Sequence, residues 1–261
     1  MSALSVVTFN LRCVWKGEPD GINSFIHRAG LIYEKVTKIL PDVICFQEVT
    51  SASLPLLRRI LSEYEFYGQL READYTGEGV YIAVKKDRFS VLEYNCIWLS
   101  DTPYMPASRF DGQSEYCRIC EEIKLLDNQN KAVFRIFNTH LDFETGVQVK
   151  EIDCIFDMID RLIESEPIPF LITGDFNAFP DSEAVAHVLQ NQKYNLSDLT
   201  ADIPVTFHDW GKAKQKIDYI FASKEFAEHK TGTEIWDDCD YGIYMSDHYP
   251  INITFEFGGQ Q

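Results

Sequence analysis

Short apolar runs recur along the chain, and their β-branched and aromatic residues are typical of β-strands. The runs lie at Leu4–Phe9, Val43–Phe46, Val80–Val84, Ala132–Phe137, Phe170–Thr173, Ile217–Ala222 and Ile251–Phe257. A further segment, Cys117–Leu125, alternates apolar and polar residues, and this period of two also predicts a strand.

Apolar residues at helical spacing lie between several of these runs. The predicted helices are Leu31–Leu40, Leu54–Leu61, Ile152–Ile163 and Val185–Leu189, the last after a cap at Asp181 or Ser182. No repeat, linker or low-complexity block interrupts the alternation. The order of elements therefore predicts an α/β protein in which packed sheets are covered by helices, as one domain over residues 1–261.

The net charge of the chain limits which binding partners it can have. The 261 residues include 24 Lys and Arg against 41 Asp and Glu, a formal net charge of −17. So acidic a chain repels long polyanions, which argues against a DNA-coating protein or a protein held on an anionic membrane. No apolar stretch approaches the roughly 20 residues of a membrane span, and the N-terminus lacks a signal-peptide pattern. We expect a soluble, cytoplasmic protein with no obligate protein partner.

The seven cysteines are expected to be reduced, because no secretion signal accompanies them. Cys117 and Cys120 form the one C-x-x-C motif. On a strand, residues three apart face opposite sides, so these thiols are predicted to be structural and not a metal or redox pair.

Polar residues gather where the apolar runs stop. Asn10 and Arg12 follow the first run, Glu48 the second, and Asp175 and Asn177 the run FLIT. Further polar groups flank later runs, namely Asn138, His140, Asp142, Asp218, Ser246, Asp247 and His248. Strand ends and their loops are where ligand sites gather in layered α/β folds, so convergence at one edge would create a site.

The residue types in this set suit metal-assisted hydrolysis. Carboxylates of Glu48 and Asp247, with the amide of Asn10, are oxygen ligands of the kind that Mg²⁺ or Mn²⁺ favours. Asp175 and Asn177 are two apart, so in an extended segment both would face one water. An aspartate such as Asp218 could orient His248 and raise its basicity. The alternative for this histidine is a capping role before a strand.

The ordered motifs TFN, QEV, NTHLD, TGDFNAFP, IDYIF and SDHYP resemble those of the endonuclease/exonuclease/phosphatase superfamily. The resemblance covers essentially the whole chain. It implies a deoxyribonuclease-I-like, four-layered α/β sandwich of two mixed sheets flanked by helices, with a Mg²⁺- or Mn²⁺-dependent site at one edge. NSF at Asn23, followed by Arg28, and WLSDTP, followed by Ser108, Arg109 and Arg118, resemble a bacterial branch of that superfamily.

The resemblance also implies roles for individual residues. Glu48 would be the main metal ligand, supported by Asn10 and Asp247. Asp175 would orient or deprotonate the attacking water. The other residues would act on the phosphate group. Asn177 would contact it, and His140 would hold one of its oxygens. His248, paired with Asp218, would stabilise the transition state.

Four more residues are candidates for substrate binding. The guanidinium groups of Arg109 and Arg118 could each bind two phosphate oxygens, or they could form surface ion pairs. Arg12 stands where some superfamily members carry an acid, which puts a second metal in doubt; it would meet a substrate phosphate or pair with a neighbouring acid. Asp142 completes this group, in the motif that contains His140.

Three functions remain open. The first is a metal-dependent phosphodiesterase, including a nuclease or exonuclease, and the second is a phosphatase or phosphodiesterase for a small metabolite or lipid headgroup. The third is a binding module without chemistry. A nuclease would need aromatic side chains that stack on bases, and the candidates are Trp15, Phe110, Trp210 and Trp236. It would also need a basic segment that contacts the phosphates, for which Lys212–Lys216 is the candidate. The charge favours small or single-stranded phosphate esters over duplex DNA.

Overall fold

The computed structural model of the chain describes residues 3–14, 20–164 and 166–257. In chain order the strands are β1 (Ala3–Asn10), β2 (Val43–Thr50), β3 (Tyr64–Leu70), β4 (Glu78–Lys85), β5 (Phe89–Trp98), β6 (Ile119–Asp127), β7 (Val133–His140), β8 (Phe170–Asp175), β9 (Ser197–Asp198), β10 (Asp218–Ala222), β11 (Lys230–Ile235), β12 (Cys239–Asp240), β13 (Ile243–Tyr244) and β14 (Ile251–Glu256). The helices are α1 (Phe25–Ile39), α2 (Leu54–Ile60), α3 (Thr145–Ile163), α4 (Glu183–Leu189) and α5 (Lys224–Ala227).

Two six-stranded sheets form the centre of the molecule. Their strand orders are β11-β14-β1-β2-β4-β3 and β5-β6-β7-β8-β10-β9. Each sheet is mixed, because β1 runs parallel to β2 and β7 parallel to β8 while the other pairs are antiparallel. The hairpin β12-β13 is separate from both sheets.

Three apolar layers hold these elements together. Between the sheets, Val6 and Ile82 belong to one buried cluster with Ile136 and Leu171. On the outer faces, α1 and α2 pack on the first sheet and α3 and α4 on the second. The helix–sheet–sheet–helix order confirms the predicted four-layered sandwich. Because both faces of the central strands are buried, their sequences are nearly continuous apolar runs.

The predicted strands and helices are all present, and Ser182 caps α4 by accepting a hydrogen bond from the Val185 amide. The pattern missed β3, β5, β9 and β11, each of which is an outermost strand of its sheet, and the short elements β12, β13 and α5. Cys117 and Cys120 are buried in different apolar clusters, and β6 begins at Ile119, so Cys117 precedes the strand on which it was predicted. Among the described residues, no helix is long and apolar enough to span a membrane.

Strand direction brings the polar residues to one edge. The parallel strands β1, β2, β7 and β8 end there, while β4, β10 and β14 run the opposite way beside them and begin there. Beneath this edge, Asn138 ties the sheets together: its Nδ2 donates to the Phe46 and Tyr81 carbonyls, and its Oδ1 accepts from Gln47. These buried hydrogen bonds fix one sheet against the other.

Candidate active site

Asp175 lies at the centre of the polar edge. Its Oδ2 accepts a hydrogen bond from Asn10 Nδ2 at 2.8 Å and lies 3.7 Å from His140 Nε2 and 3.8 Å from His248 Nε2. Burial and the nearby carboxylate of Asp218 raise the pKa of Asp175 to about 7. A carboxylate with this pKa can accept a proton near neutral pH.

Gly174 allows this placement. It precedes Asp175 with φ of 147°, and a Cβ at this position would come within 2.1 Å of the Thr139 carbonyl oxygen. Only glycine lets β8 approach β7 so closely here. As a result Asp175 and His140 are register partners on adjacent strands.

Asn177 does not continue the strand, so the predicted extended segment with two side chains on one face is wrong. β8 ends at Asp175, Phe176 turns into the apolar core, and Asn177 has φ of 47° in the left-handed region. Its backbone N–H donates to Asp175 Oδ1 at 2.9 Å, and its Nδ2 donates to the Leu141 carbonyl. Asn177 thereby holds the Asp175 carboxylate in place.

Glu48 is aimed into the site by an irregularity of β2. The β2–β4 register shifts between Phe46 and Val49, and Glu48 has φ of 58°. Its oxygens accept hydrogen bonds from Asn10 Nδ2 at 3.0 Å and the Cys13 amide at 2.8 Å. Burial would raise the pKa of Glu48, but the positive charge of His248 and these hydrogen bonds lower it. Glu48 is therefore an anion at any working pH.

His248 and Asp218 form the predicted pair. The imidazole Nδ1 lies 2.8 Å from Asp218 Oδ2, and both side chains are buried. Burial opposes protonation, but the carboxylate of Asp218 outweighs it and raises the pKa of His248 to about 10. The ring is therefore a cation at neutral pH, with Nε2 facing Asp175.

His140 has the opposite electrostatic state. Burial and the positive charge of Arg118 lower its pKa well below the ordinary value. Its Nδ1 lies 3.9 Å from Glu78 Oε2, beyond hydrogen-bond distance, and Glu78 itself is bound by Arg71 at 2.8 Å. His140 is therefore neutral and offers Asp175 a neutral imidazole.

Arg12 and Asp247 close the site from the loops after β1 and before β14. Arg12 lies 3.4 Å from Asp20 and 3.7 Å from Asp247, so it pairs with neighbouring acids. Burial raises the pKa of Asp247. Arg28 fixes both loops by donating to the Leu11 and Met245 carbonyls.

The three other candidates for substrate binding lie in different environments. Arg118 is buried, and its Nε donates to Asp142 at 3.2 Å. Asp142 is fully buried and also accepts from Ser114 Oγ, so it holds Arg118. Arg109 is exposed and donates to the Ser114 carbonyl.

Glu78, Arg71 and Cys13 were missed by the sequence reasoning. Glu78 begins β4, an antiparallel strand, whereas the search for polar groups concentrated on residues that follow apolar runs. A useful signal was available: an acid directly before the run GVYIAV, in a strand that pairs antiparallel, lies at the same edge.

The carboxylates of the site could hold a divalent cation. Among the described residues, two groups have possible ligand atoms within 4.8 Å of one another: Glu48, Asp175 and His248 form the first, and Cys13, Glu48 and Glu78 the second. As a cation His248 has no free lone pair, so the carboxylates of the first group are its possible ligands. Asp247 belongs to neither group. A half-buried carboxylate held as an anion beside further acids favours a hard, oxygen-binding ion such as Mg²⁺ or Mn²⁺. Glu48 is the residue shared by both groups.

Residues 7–248 match the model of the Endonuclease/Exonuclease/phosphatase family. The chain belongs to that family. Its members hydrolyse phosphoric esters, and this chain is an enzyme of that class.

Three proteins that resemble this chain show how varied the family is. An endonuclease/exonuclease/phosphatase from Bacteroides vulgatus has TM-score 0.88 and 25% identity, covering 99% of this chain and 100% of that one. A mannosyl-6-phosphatase from Bacteroides thetaiotaomicron has TM-score 0.85 and 22% identity, covering 97% and 100%. Human nocturnin is 22% identical over 88% of this chain, which spans only 58% of nocturnin's length. The names of these relatives leave the substrate open.

Proposed function

We propose that the chain is a Mg²⁺- or Mn²⁺-dependent hydrolase of phosphoric esters whose attacking water is activated by Asp175. The observation that carries the proposal is the position of Asp175, between two histidines and hydrogen-bonded to Asn10, with a pKa raised to about 7. A base with this pKa, held among phosphate-binding groups, can take a proton from water during attack on phosphorus.

The histidines would act on the phosphate oxygens. His248, positively charged through Asp218, supplies a charge-assisted donor where negative charge develops. His140, which is neutral, supplies an uncharged donor. Arg118 would assist as a fixed positive charge, since its buried guanidinium is anchored by Asp142. Arg12 and Arg109 are less favourable binders, because one pairs with two acids and the other is exposed.

Glu48 would hold the cation, supported by Asp247 and Asn10. A bound divalent cation supplies Lewis-acid polarisation and offsets charge on the phosphate. In this account the acidic cluster is a requirement of the reaction, and the net charge of −17 does not exclude an anionic substrate.

A small or single-stranded substrate fits the surface better than duplex DNA. Of the proposed stacking residues, Trp236 and Phe110 are buried, Trp210 is half-buried, and Trp15 lies outside the described residues. In the basic segment, Lys216 is buried and paired with Asp198. These findings favour the second candidate, a phosphatase for a small phosphorylated metabolite, which also agrees with the similarity to a mannosyl-6-phosphatase.

Hydrolysis of bis(4-nitrophenyl) phosphate and of 4-nitrophenyl phosphate tests the proposal and separates diesterase from monoesterase activity. We expect turnover with Mg²⁺ or Mn²⁺ and loss of turnover in excess chelator, restored by adding the metal back. Full activity in chelator would contradict the metal requirement. No turnover of either ester with any divalent metal would contradict the proposed reaction for these substrates.

A further inference from the structure

Arg28 is a buried arginine in α1 to which the proposed reaction gives no role. The residue is 0% exposed. Its guanidinium donates four hydrogen bonds to backbone carbonyls: Nε to Asn23 at 2.6 Å, Nη1 to Leu11 at 2.8 Å and to Met245 at 2.6 Å, and Nη2 to Arg12 at 3.3 Å. These carbonyls belong to three separate segments of the chain. A buried charge is costly unless hydrogen bonds satisfy it, so the carbonyls stabilise the guanidinium, which in turn fixes their positions.

On the β1 side, Arg28 holds a strained turn. Arg12 has φ of 60°, in the left-handed region that non-glycine residues rarely adopt. In this conformation its backbone N–H donates to Asn10 Oδ1 at 3.0 Å. Because the amide oxygen of Asn10 is engaged there, the amide nitrogen donates to Glu48 at 3.0 Å and to Asp175 at 2.8 Å. The turn therefore sets the direction of the Asn10 side chain.

On the β14 side, Arg28 reaches the loop that carries Asp247. Met245, its acceptor there, lies two residues before Asp247. The Asp247 carbonyl accepts from the His208 amide at 2.8 Å, which attaches the loop before β10 to the same point. In that second loop, the Trp210 ring centroid lies 5.6 Å from the guanidinium of Arg28, within cation–π distance. Two loops of the candidate active site therefore meet on one buried cation.

The shape of the guanidinium suits this arrangement, and a lysine does not reproduce it. The donors of an arginine lie in one rigid plane and point in different directions, so they can reach carbonyls on separate segments at once. Hydrogen bonds from a charged donor are also roughly twice as strong as neutral ones. An ammonium group has its three donors on a single atom at the end of a flexible chain. Replacement of Arg28 by lysine thus keeps the charge and loses the fixed geometry.

We propose that Arg28 is a positioning residue for the candidate active site: its guanidinium holds the backbone from which Asn10 and Asp247 project, and the affinity for the cation depends on that backbone. The proposal rests on the proposed function, in which Asn10 and Asp247 support the cation held by Glu48. Arg28 itself is fully buried and acts only through these residues.

Amide hydrogen exchange of the metal-free full chain tests the positioning role. Wild type is compared with Arg28→Lys, or with the planar, neutral Arg28→Gln where the lysine variant does not fold. We expect residues 10–13 and 245–248 to exchange roughly tenfold faster or more, as for lost hydrogen bonds to a charged group, and residues 133–140 to keep the wild-type rate. Unchanged exchange in the first two segments would overturn the proposal. Equal acceleration along the whole chain would also overturn it, because Arg28 would then only stabilise the fold.

Binding of Mn²⁺ to the full chain ties the two loops to the cation site. Electron paramagnetic resonance counts the free Mn²⁺ in wild type, in the Arg28 variant and in Arg135→Lys. Arg135 is also a buried arginine, with a side chain 3% exposed, but it lies at the end of β7 opposite His140. We expect the dissociation constant to rise roughly 10- to 100-fold in the Arg28 variant, the range for residues that orient metal ligands, and to stay unchanged in Arg135→Lys. Equal losses in both variants, or none in the Arg28 variant, would overturn the proposal.

Failure of this proposal is distinguishable from failure of the proposed function. A protein that hydrolyses bis(4-nitrophenyl) phosphate and binds Mn²⁺ equally well with and without Arg28 keeps the reaction and loses the positioning role. A protein in which the Arg28 variant releases only the two loops, but which binds no Mn²⁺, keeps the positioning of Asn10 and Asp247 and loses the metal requirement.

Discussion

The two sides of the candidate active site differ in charge although their histidines occupy similar positions. His248 and His140 are both buried, and each Nε2 lies within 3.8 Å of Asp175 Oδ2. On one side the carboxylate of Asp218, 2.8 Å away, makes the imidazole a cation. On the other, burial and the positive charge of Arg118 keep the imidazole neutral, and no carboxylate lies within hydrogen-bond distance of its Nδ1 among the described residues.

This difference shows that neighbouring charges, and not burial, decide what each histidine can do. Desolvation disfavours the protonated form of both rings. Only the His248 side, which we define as His248 with Asp218, overcomes that cost. The His140 side, defined as His140 with Glu78, Arg71 and Arg118, has its positive charge on the arginines instead. A phosphate between them would meet an imidazolium on one side and a neutral imidazole backed by arginine on the other.

The largest expected effect comes from Asp175, the residue that both sides share. Asp175→Asn keeps the size of the side chain but removes the base, so we expect kcat to fall roughly 10²- to 10⁴-fold, the contribution typical of a general base. Steady-state hydrolysis of bis(4-nitrophenyl) phosphate measures it. Asp202→Asn, at an exposed aspartate, serves as the control. A loss of less than tenfold in Asp175→Asn would show that another group takes the proton.

The same substitution on the two sides should have unequal effects. His248→Asn removes a cation facing the phosphate, and we expect kcat/KM to fall roughly 10²- to 10³-fold. His140→Asn replaces one neutral donor by another, so the loss should stay at about tenfold or below. Both variants are assayed with one substrate after thermal unfolding has verified that they fold. Equal losses would mean that the charge difference has no catalytic role.

Asp218→Asn tests the origin of the difference through pH. The pairing raises the pKa of His248 from 6.5 to about 10, so the stability it contributes is fully present below pH 6.5 and is lost as the pH rises through 10. We expect the variant to be less stable than wild type at pH 6, by about 3 kcal/mol. The gap should shrink towards pH 10.5. Urea unfolding at both values measures it, and a gap independent of pH would exclude His248 as the linked group.

The central strands were predictable from sequence because both of their faces are buried. Runs such as Val43–Phe46 and Phe170–Ile172 stay apolar at every position and stand out from their surroundings. The edge strand β11, KTGTEI, has exposed positions along its length and gives no such signal. What decides an edge strand is its pairing with a distant partner, which a local pattern does not contain.

Site residues were predictable where they follow an apolar run or belong to a recognisable motif, as with Asp175, Asp218 and His248. Glu78 and Arg71 were not, because their relevance depends on β3 and β4 being folded beside β2. The backbone of Asn177 was also unpredictable, since its left-handed φ follows from the burial of Phe176. Local chemistry, including a positively charged His248 beside Asp218, was therefore accessible from sequence, and the neutral state of His140 was not.

The smallest expected effect lies behind the His140 side, at Glu151. This buried carboxylate accepts a hydrogen bond from the Asp142 amide, and burial raises its pKa from 4.5 to about 8. The folded protein therefore holds a proton that the unfolded chain releases above pH 4.5, so stability falls as the pH rises from 4.5 through 8. Glu151→Gln is neutral at every pH and should be more stable than wild type at pH 9, with almost no difference at pH 5. Urea unfolding measures this slope, with the exposed Glu164→Gln as the control. An unaltered slope in Glu151→Gln would mean that Glu151 is already ionised in the folded protein, and that the positive charge of Arg118 reaches past Asp142 to stabilise it.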